Sequence, residues 1–244
     1  MNLIAVLSDV HGNIDALNAV IEDIGIFQTT RMVCLGDIVG YGPAPRMCFE
    51  RLREMDCSII LGNHEIMHLS ERVPRSFSGY VGDPLGLGRR QLDLHGQRWL
   101  SERPFVHRIN SLHFSHAGLR EPSAFEYIRT AEQAASHLGC QDASVSFIGH
   151  THIPWVWREK QTDSYEGRPA LEVVKLESDT KYCINVGSVG QPRDGDPRAC
   201  YALYECEKQA LTLRRVAYDI SRAVERFQAA GLLNSYARRI QVGR

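Results

Sequence analysis

Residues 2–13 read NLIAVLSDVHGN, an apolar run over 2–7 that breaks into a polar loop, Ser8-Asp9-Val10-His11-Gly12-Asn13. A continuous apolar run of this length suits a strand covered on both faces. Two more such runs follow, residues 31–35 (RMVCL) and 57–61 (CSIIL). Between them, residues 13–25 and 44–55 read as helices, with Ile14, Leu17, Val20, Ile21 and Ile24 at helical spacing. Strand, helix, strand, helix, strand within 61 residues predicts parallel pairing through crossover helices, and hence an α/β fold.

Further along, residues 66–85 are polar and interrupted by Pro74, Gly79, Gly82 and Pro84, which predicts a long irregular excursion. Residues 86–102 and 123–139 read as helices. The last hundred residues are strand-rich, with runs at 145–148, 153–158, 171–176, 182–186, 200–206 and 210–217, and helices near 219–230 and 232–240 close the chain. No repeat or linker divides it, so a single domain over 1–244 is expected.

Composition narrows the function classes. Of 244 residues 43% are apolar and 23% charged, an ordinary globular balance. A net charge of −1 supplies no bulk field for nucleic acid or an anionic membrane. The N-terminus lacks a basic region and cleavage site, and no run reaches the roughly 18 apolar residues of a membrane span. The seven cysteines form no CxxC pair, which suits reduced core residues in a cytoplasmic protein.

Five polar motifs each follow an apolar run: Asp9-Val10-His11, Gly36-Asp37-Ile38-Val39-Gly40, Gly62-Asn63-His64-Glu65, Ser115-His116-Ala117-Gly118 and Gly149-His150-Thr151-His152. Alone, each has a plain structural reading: a surface turn, a helix cap at Asn63, a satisfied histidine. Together they put carboxylate, imidazole and amide oxygen beyond the strand ends, where α/β sheets bind ligands. With no thiolate, this donor set suits Mn, Fe, Co or Zn. Its size exceeds what one ion with an open position can use, and fits two ions sharing a carboxylate.

The series DxH, GDxxG, GNHE, SHAG and GHTH over residues 9–152 resembles the calcineurin-like metallophosphoesterases. Residues 185–195 (NVGSVGQPRDG) and 40–43 (GYGP) resemble a bacterial phosphodiesterase branch of that family. The resemblance implies a four-layer αββα sandwich, with two mixed β-sheets flanked by helices. It implies one ion on Asp9, His11 and His152, a second on Asn63, His116 and His150, and Asp37 bridging. His64 would be the catalytic acid, with a hydroxide shared by the ions attacking phosphorus.

Two departures from the protein Ser/Thr phosphatases bear on substrate. Gly40 and Tyr41 stand where those enzymes carry Asp and Arg, and Leu61 stands where they carry a further Arg. A phosphodiesterase is therefore favoured over a phosphomonoesterase or protein phosphatase, and over a non-catalytic protein-binding scaffold, since every ligand and His64 are present. Mn is the expected metal, with Fe, Zn, Co or Ni as alternatives. The expected substrate is a small-molecule or nucleotide phosphodiester. Asn13, Tyr41 and Arg193 are candidate phosphate contacts, Glu65 could orient His64, and residues 66–100 could form a lid or specificity segment. His68, His95, His107, His113 and His137 read as structural.

Overall fold

The computed structural model describes residues 2–70, 82–161, 164–170 and 173–244. Strands β1 (Leu3–Leu7), β2 (Arg31–Cys34) and β3 (Ser58–Ile59) pair in parallel, joined by helices α1 (Ile14–Gly25) and α2 (Pro45–Glu54). On the other side of β1 the sheet continues antiparallel through β11 (Ala199–Glu205), β12 (Ala210–Val216) and β9 (Val173–Lys175).

The second sheet runs β4 (Val106–Ile109), β5 (Leu112–Ser115), β6 (Val145–Ile148), β10 (Tyr182–Asn185), β7 (Trp155–Gln161) and β8 (Ser164–Pro169). Its centre, β5–β6–β10, is parallel and its flanks are antiparallel.

Side-chain alternation builds the layers, because successive residues of a strand face opposite ways. Ile4 and Val6 of β1 enter a core with Phe114, Phe147 and Ile184 of the second sheet, so the sheets face each other. Ala5 and Leu7 turn the other way, into a core with Leu17, Val20 and Ile21 of α1 and Leu52 of α2. Helix α6 (Ala131–Gly139) covers the far face of the second sheet through Ala134 and Leu138 against Trp157 and Cys183. Asp23 pins α1 to the first sheet, accepting from Tyr201 Oη at 2.6 Å and from Arg214 Nη2 at 2.7 Å. Helices α7 (Ile220–Ala229) and α8 (Asn234–Val242) form a separate apolar cluster beside α1, built on Phe227, Tyr236 and Ile240. This is the αββα sandwich of the sequence reading.

The reading needs local correction. The helix expected over 86–102 is two, α4 (Gly82–Gln91) and α5 (Leu94–Ser101), because Asp93 caps a new start by accepting from Gly96 N at 2.7 Å. The helix expected from 123 begins only at Ala131, behind a capping box of Thr130 and Gln133. Residues 118–130 are instead a loop with one 3₁₀ turn at Pro122–Ala124. The excursion expected from 66 starts later, since α3 spans Asn63–Leu69. Arg89 of α4 donates to the carbonyls of Met67 at 2.8 Å and His68 at 2.9 Å, closing the C-terminus of α3. Residues 71–81, with Pro74 and Gly79, lie outside the described residues. Strand β5 is the apolar run before Ser115-His116, whereas β4 and β8 had no clear signal in the sequence. All seven cysteines are free, five of them buried, while Cys140 is exposed. Among the described residues no helix is long and apolar enough to cross a membrane.

Candidate metal centre

The loops beyond β1, β2, β3, β5 and β6 converge at one end of the sandwich, stitched backbone to backbone. Asp9 N donates to Gly36 O at 3.1 Å and His11 N to Asp37 O at 2.8 Å, locking the first two loops. Gly149 N donates to His116 O at 3.0 Å and Gly190 N to Asp9 O at 2.9 Å, adding the loops of the second sheet and of residues 186–198. Asp9 Oδ2 accepts from His150 N at 3.0 Å across the seam between the sheets.

Asp9, His11, Asp37, His150 and His152 all take left-handed backbone conformations, with φ between 48° and 65°. Each such residue costs on the order of 1–3 kcal/mol and is held only where its surroundings dictate it, commonly at functional sites. The conformation aims the five side chains inward. They meet Asn63 from the first turn of α3 and His116 from the end of β5. Ligand atoms of Asp9, His11 and His152 lie within 4.8 Å of one another, as do those of Asp37, His116 and His150. Asn63 Oδ1 lies 3.1 Å from His116 Nε2.

Proton placement shows what this cluster lacks. His11 Nδ1 lies 3.1 Å from Val39 O, His116 Nδ1 2.8 Å from Leu35 O and His152 Nδ1 2.6 Å from Gln191 O. Facing a carbonyl, each Nδ1 must carry the hydrogen, so in the neutral ring each Nε2 turns a lone pair inward. His11 Nε2 and His152 Nε2 then face each other at 3.2 Å, and His116 Nε2 faces His150 Nδ1 at 3.2 Å. Between His11 and His152, whose Nδ1 hydrogens are both committed to carbonyls, the two lone pairs repel at that distance unless a proton or cation lies between them. Asp9 Oδ1 is buried with no hydrogen-bond partner. The donor set therefore fits divalent cations.

The charges agree. Burial disfavours a charged Asp9 or Asp37, yet the surrounding imidazoles hold both well below the usual carboxylate range. Burial also opposes a charge on His116, but Asp37 and Asp9 raise it to about 9. His150 goes down to about 3, first through burial and then through His116. Without metal, the proton on His116 supplies the positive charge that the two carboxylates require.

His64 stands at the edge of this cluster, its Nε2 3.9 Å from Asp37 Oδ2 and its ring 4.6 Å from that of His11. The geometry would also let it join His11 and Asp37 around an ion. Its Nδ1 is buried without a partner. Gly40 makes room for the ring, since a Cβ there would collide with that nitrogen and Gly40 has φ 85°.

Glu65 does not hydrogen-bond to His64. Its carboxylate accepts four backbone N–H groups, from Asp37 at 2.7 Å, Ile38 at 2.7 Å, Val39 at 3.2 Å and Gly62 at 2.9 Å. GNHE does open a helix, but its cap is Gly62 and not the Asn63 of the sequence reading; Glu65 closes it as the third helical residue, and its carboxylate also fixes the Asp37 loop. Burial and the adjacent Asp37 push Glu65 up to about 7 against those four donors.

Beside the cluster opens a cavity of about 380 Å³, lined by Asp37, Asn63, His64, Tyr41 and Arg193 among others. Tyr41 packs on His64 at 4.7 Å, and Arg193 Nη2 donates to Tyr41 Oη at 3.4 Å and to Gln191 Oε1 at 3.1 Å. Asn13 requires correction as a phosphate contact. Its Oδ1 caps α1 by accepting from Ala16 N at 3.2 Å, and its Nδ2 donates to Gly190 O at 3.0 Å and Tyr218 Oη at 3.3 Å. Both ends of the amide are occupied in holding the fold. His113 and His137 are structural, tied to Asp142 at 2.6 Å and Ser146 Oγ at 2.7 Å. Sequence reasoning missed Phe125 and Tyr127, which line the cavity from the loop mistaken for helix.

Replacing the carboxylate of Glu65 tests the role of the loop. Glu65→Gln turns an NH₂ donor toward backbone donors, so stability should fall by about 1–3 kcal/mol and divalent-ion affinity should drop. Thermal denaturation and metal titration of the purified variant measure both. Unchanged values would show that the Asp37 loop holds itself.

Similarity to known proteins runs the length of the chain. Residues 1–209 match the model of the calcineurin-like phosphoesterase superfamily domain. Protein MJ0912 of Methanocaldococcus jannaschii is 34% identical over 249 residues, covering 100% of this chain and 99% of that protein. The metallophosphoesterase from Sphaerobacter thermophilus has a TM-score of 0.88 at 34% identity, covering 99% of this chain and 100% of that one. Protein PH1004 from Pyrococcus horikoshii OT3 shares the fold at 17% identity, with a TM-score of 0.80 and 100% and 99% coverage. With the family model matched over most of its length and a relative alike from end to end, the chain belongs to the calcineurin-like phosphoesterase superfamily.

Proposed function

We propose that the protein is a dinuclear phosphodiesterase, with Asp9, His11 and His152 holding one divalent ion, Asn63, His116 and His150 the other, and Asp37 shared. The observation that carries this reading is the pairing of inward-facing imidazole nitrogens at 3.2 Å on both sides of a buried Asp37, beside an open cavity. Mn is favoured for this set of oxygen and imidazole donors. Bound there, two such cations supply an activated water and offset charge developing at phosphorus.

The chain's own residues do the rest. His64, outside both ligand sets, is within reach of a departing ester oxygen in the cavity and serves as the proton donor. Burial lowers it to about 4 while Asp37 pulls the other way, and a phosphate anion beside it adds to the negative charge that favours its proton. Tyr41 and Arg193 orient the non-bridging oxygens. Among the described lining residues, Arg193 is the sole side chain with a permanent positive charge. A diester monoanion needs less cationic support than a monoester dianion, which favours the diester.

His64→Ala should retain two ions per chain and lose on the order of 10²–10⁴ in turnover. The loss should shrink for leaving groups that depart without protonation. Metal analysis with a leaving-group series decides this, and a uniform loss accompanied by metal loss would make His64 a ligand.

The diester preference has its own measurement. Specificity constants with Mn should favour bis(p-nitrophenyl) phosphate over p-nitrophenyl phosphate, with phosphopeptides barely turned over. Arg193→Ala should reduce monoester turnover proportionally more than diester turnover. A wild-type preference for the monoester would replace the diester reading with a phosphatase.

A further inference from the structure

The loop over residues 118–130 brings one aromatic ring to the cavity in a conformation that its sequence disfavours. Phe125 has φ 52° and ψ 45°, left-handed backbone that a bulky side chain seldom adopts. Its neighbours hold it there. Gly118 N donates to Glu126 O at 3.1 Å, and Ala124 N to Glu121 O at 2.9 Å. Tyr127 then clamps the loop: its ring stacks on His150 at 4.0 Å and 23°, and the Arg129 guanidinium covers it at 4.1 Å.

Tyr127 is thus already stacked, whereas Phe125 meets other rings only at an angle. It lies 5.8 Å and 76° from His116, 6.4 Å and 47° from His150, and 6.0 Å and 56° from Phe105. Among the described residues, no ring stacks flat on it. The same cavity is lined by Ala124, Ile66 and Met67, which are apolar. His64 and Tyr41 group around His11, whereas Phe125 groups with His116 and His150. Phosphorus held at the cluster would therefore send its leaving oxygen toward His64 and its retained substituent toward Phe125.

We propose that Phe125 is a specificity residue, and that its ring, which lines the cavity with no ring stacked on it among the described residues, seats a planar aromatic substituent retained on the phosphodiester, as in a nucleoside ester. The assignment rests on the diesterase reading and refines it to one substrate class. A base stacked on an aromatic side chain contributes about a five- to 150-fold preference.

Two diesters with the same p-nitrophenolate leaving group isolate this contact: thymidine 5′-(p-nitrophenyl phosphate) and methyl p-nitrophenyl phosphate, assayed with the Mn-loaded full chain. The wild-type ratio of kcat/KM should favour the nucleoside ester by about tenfold, within the range of such stacking. Phe125→Leu, which keeps apolar volume but no ring, should bring that ratio close to one, and Phe125→Tyr should restore it. Calorimetry of the same Mn-loaded proteins with thymidine 5′-monophosphate and with methyl phosphate gives a readout independent of turnover. Tighter binding of the nucleotide, lost in Phe125→Leu, supports the seat. If neither ester is hydrolysed, the diesterase reading fails, and the binding comparison still decides the role of Phe125. Equal turnover of the two esters by wild type, with equal binding of the two phosphates, would overturn the proposal whether or not the variant folds.

Discussion

Two carboxylates buried at the seam between two sheets set the terms for the rest of this molecule. Asp9 and Asp37 are 0% and 1% exposed, and a buried charge is costly unless it is paired and hydrogen-bonded. Asp9 Oδ2 receives the backbone N–H of His150 and Asp37 Oδ1 that of His64, at 3.0 and 2.9 Å. Those bonds satisfy one oxygen of each carboxylate. The others face imidazole nitrogens of His11, His116 and His152, and two buried carboxylates at one site leave a need for positive charge. The donor set suits divalent cations, which would answer it.

The demand is met at the expense of backbone comfort. Five ligand candidates adopt left-handed φ values, and the glycines among them serve close approach. At Gly149 an added Cβ would collide with Ser8 Oγ, and at Gly62 with Asp37 Oδ1. Such strain persists because the loops are hydrogen-bonded to one another. Glu65 is the clearest device, a single carboxylate gathering N–H groups from two loops. It organises Asp37 without itself facing the cavity.

Division of labour between the sheets gives the site its shape. The first sheet supplies Asp9, His11, Asp37 and Asn63 from the ends of its parallel strands, and the second supplies His116, His150 and His152. Among the described residues, two of the three clusters that could hold an ion, Asp9–His11–His152 and Asp37–His116–His150, draw on both sheets. The cavity inherits the same asymmetry, with His64, Tyr41 and Arg193 around one part and the Phe125–Tyr127 loop around another.

The amino-acid sequence by itself determined the strand–helix alternation, the two mixed sheets by way of the family motifs, and the clustering of Asp, His and Asn after apolar runs. These signals are local: apolar periodicity and a polar loop at a strand end need only neighbours in the chain. Tertiary structure decided the rest. Asn13 looked free for substrate until Gly190 and Tyr218, far along the chain, took its amide. Glu65 looked like a partner for His64 until the Asp37 loop folded over it. Residues 123–130 have helix-compatible composition, yet Thr130 caps the helix late and the preceding loop turns Phe125 into the cavity. In each case the deciding partner comes from another loop or a competing cap, and a hydrogen bond or ring contact between distant segments leaves no periodicity in the sequence to announce it.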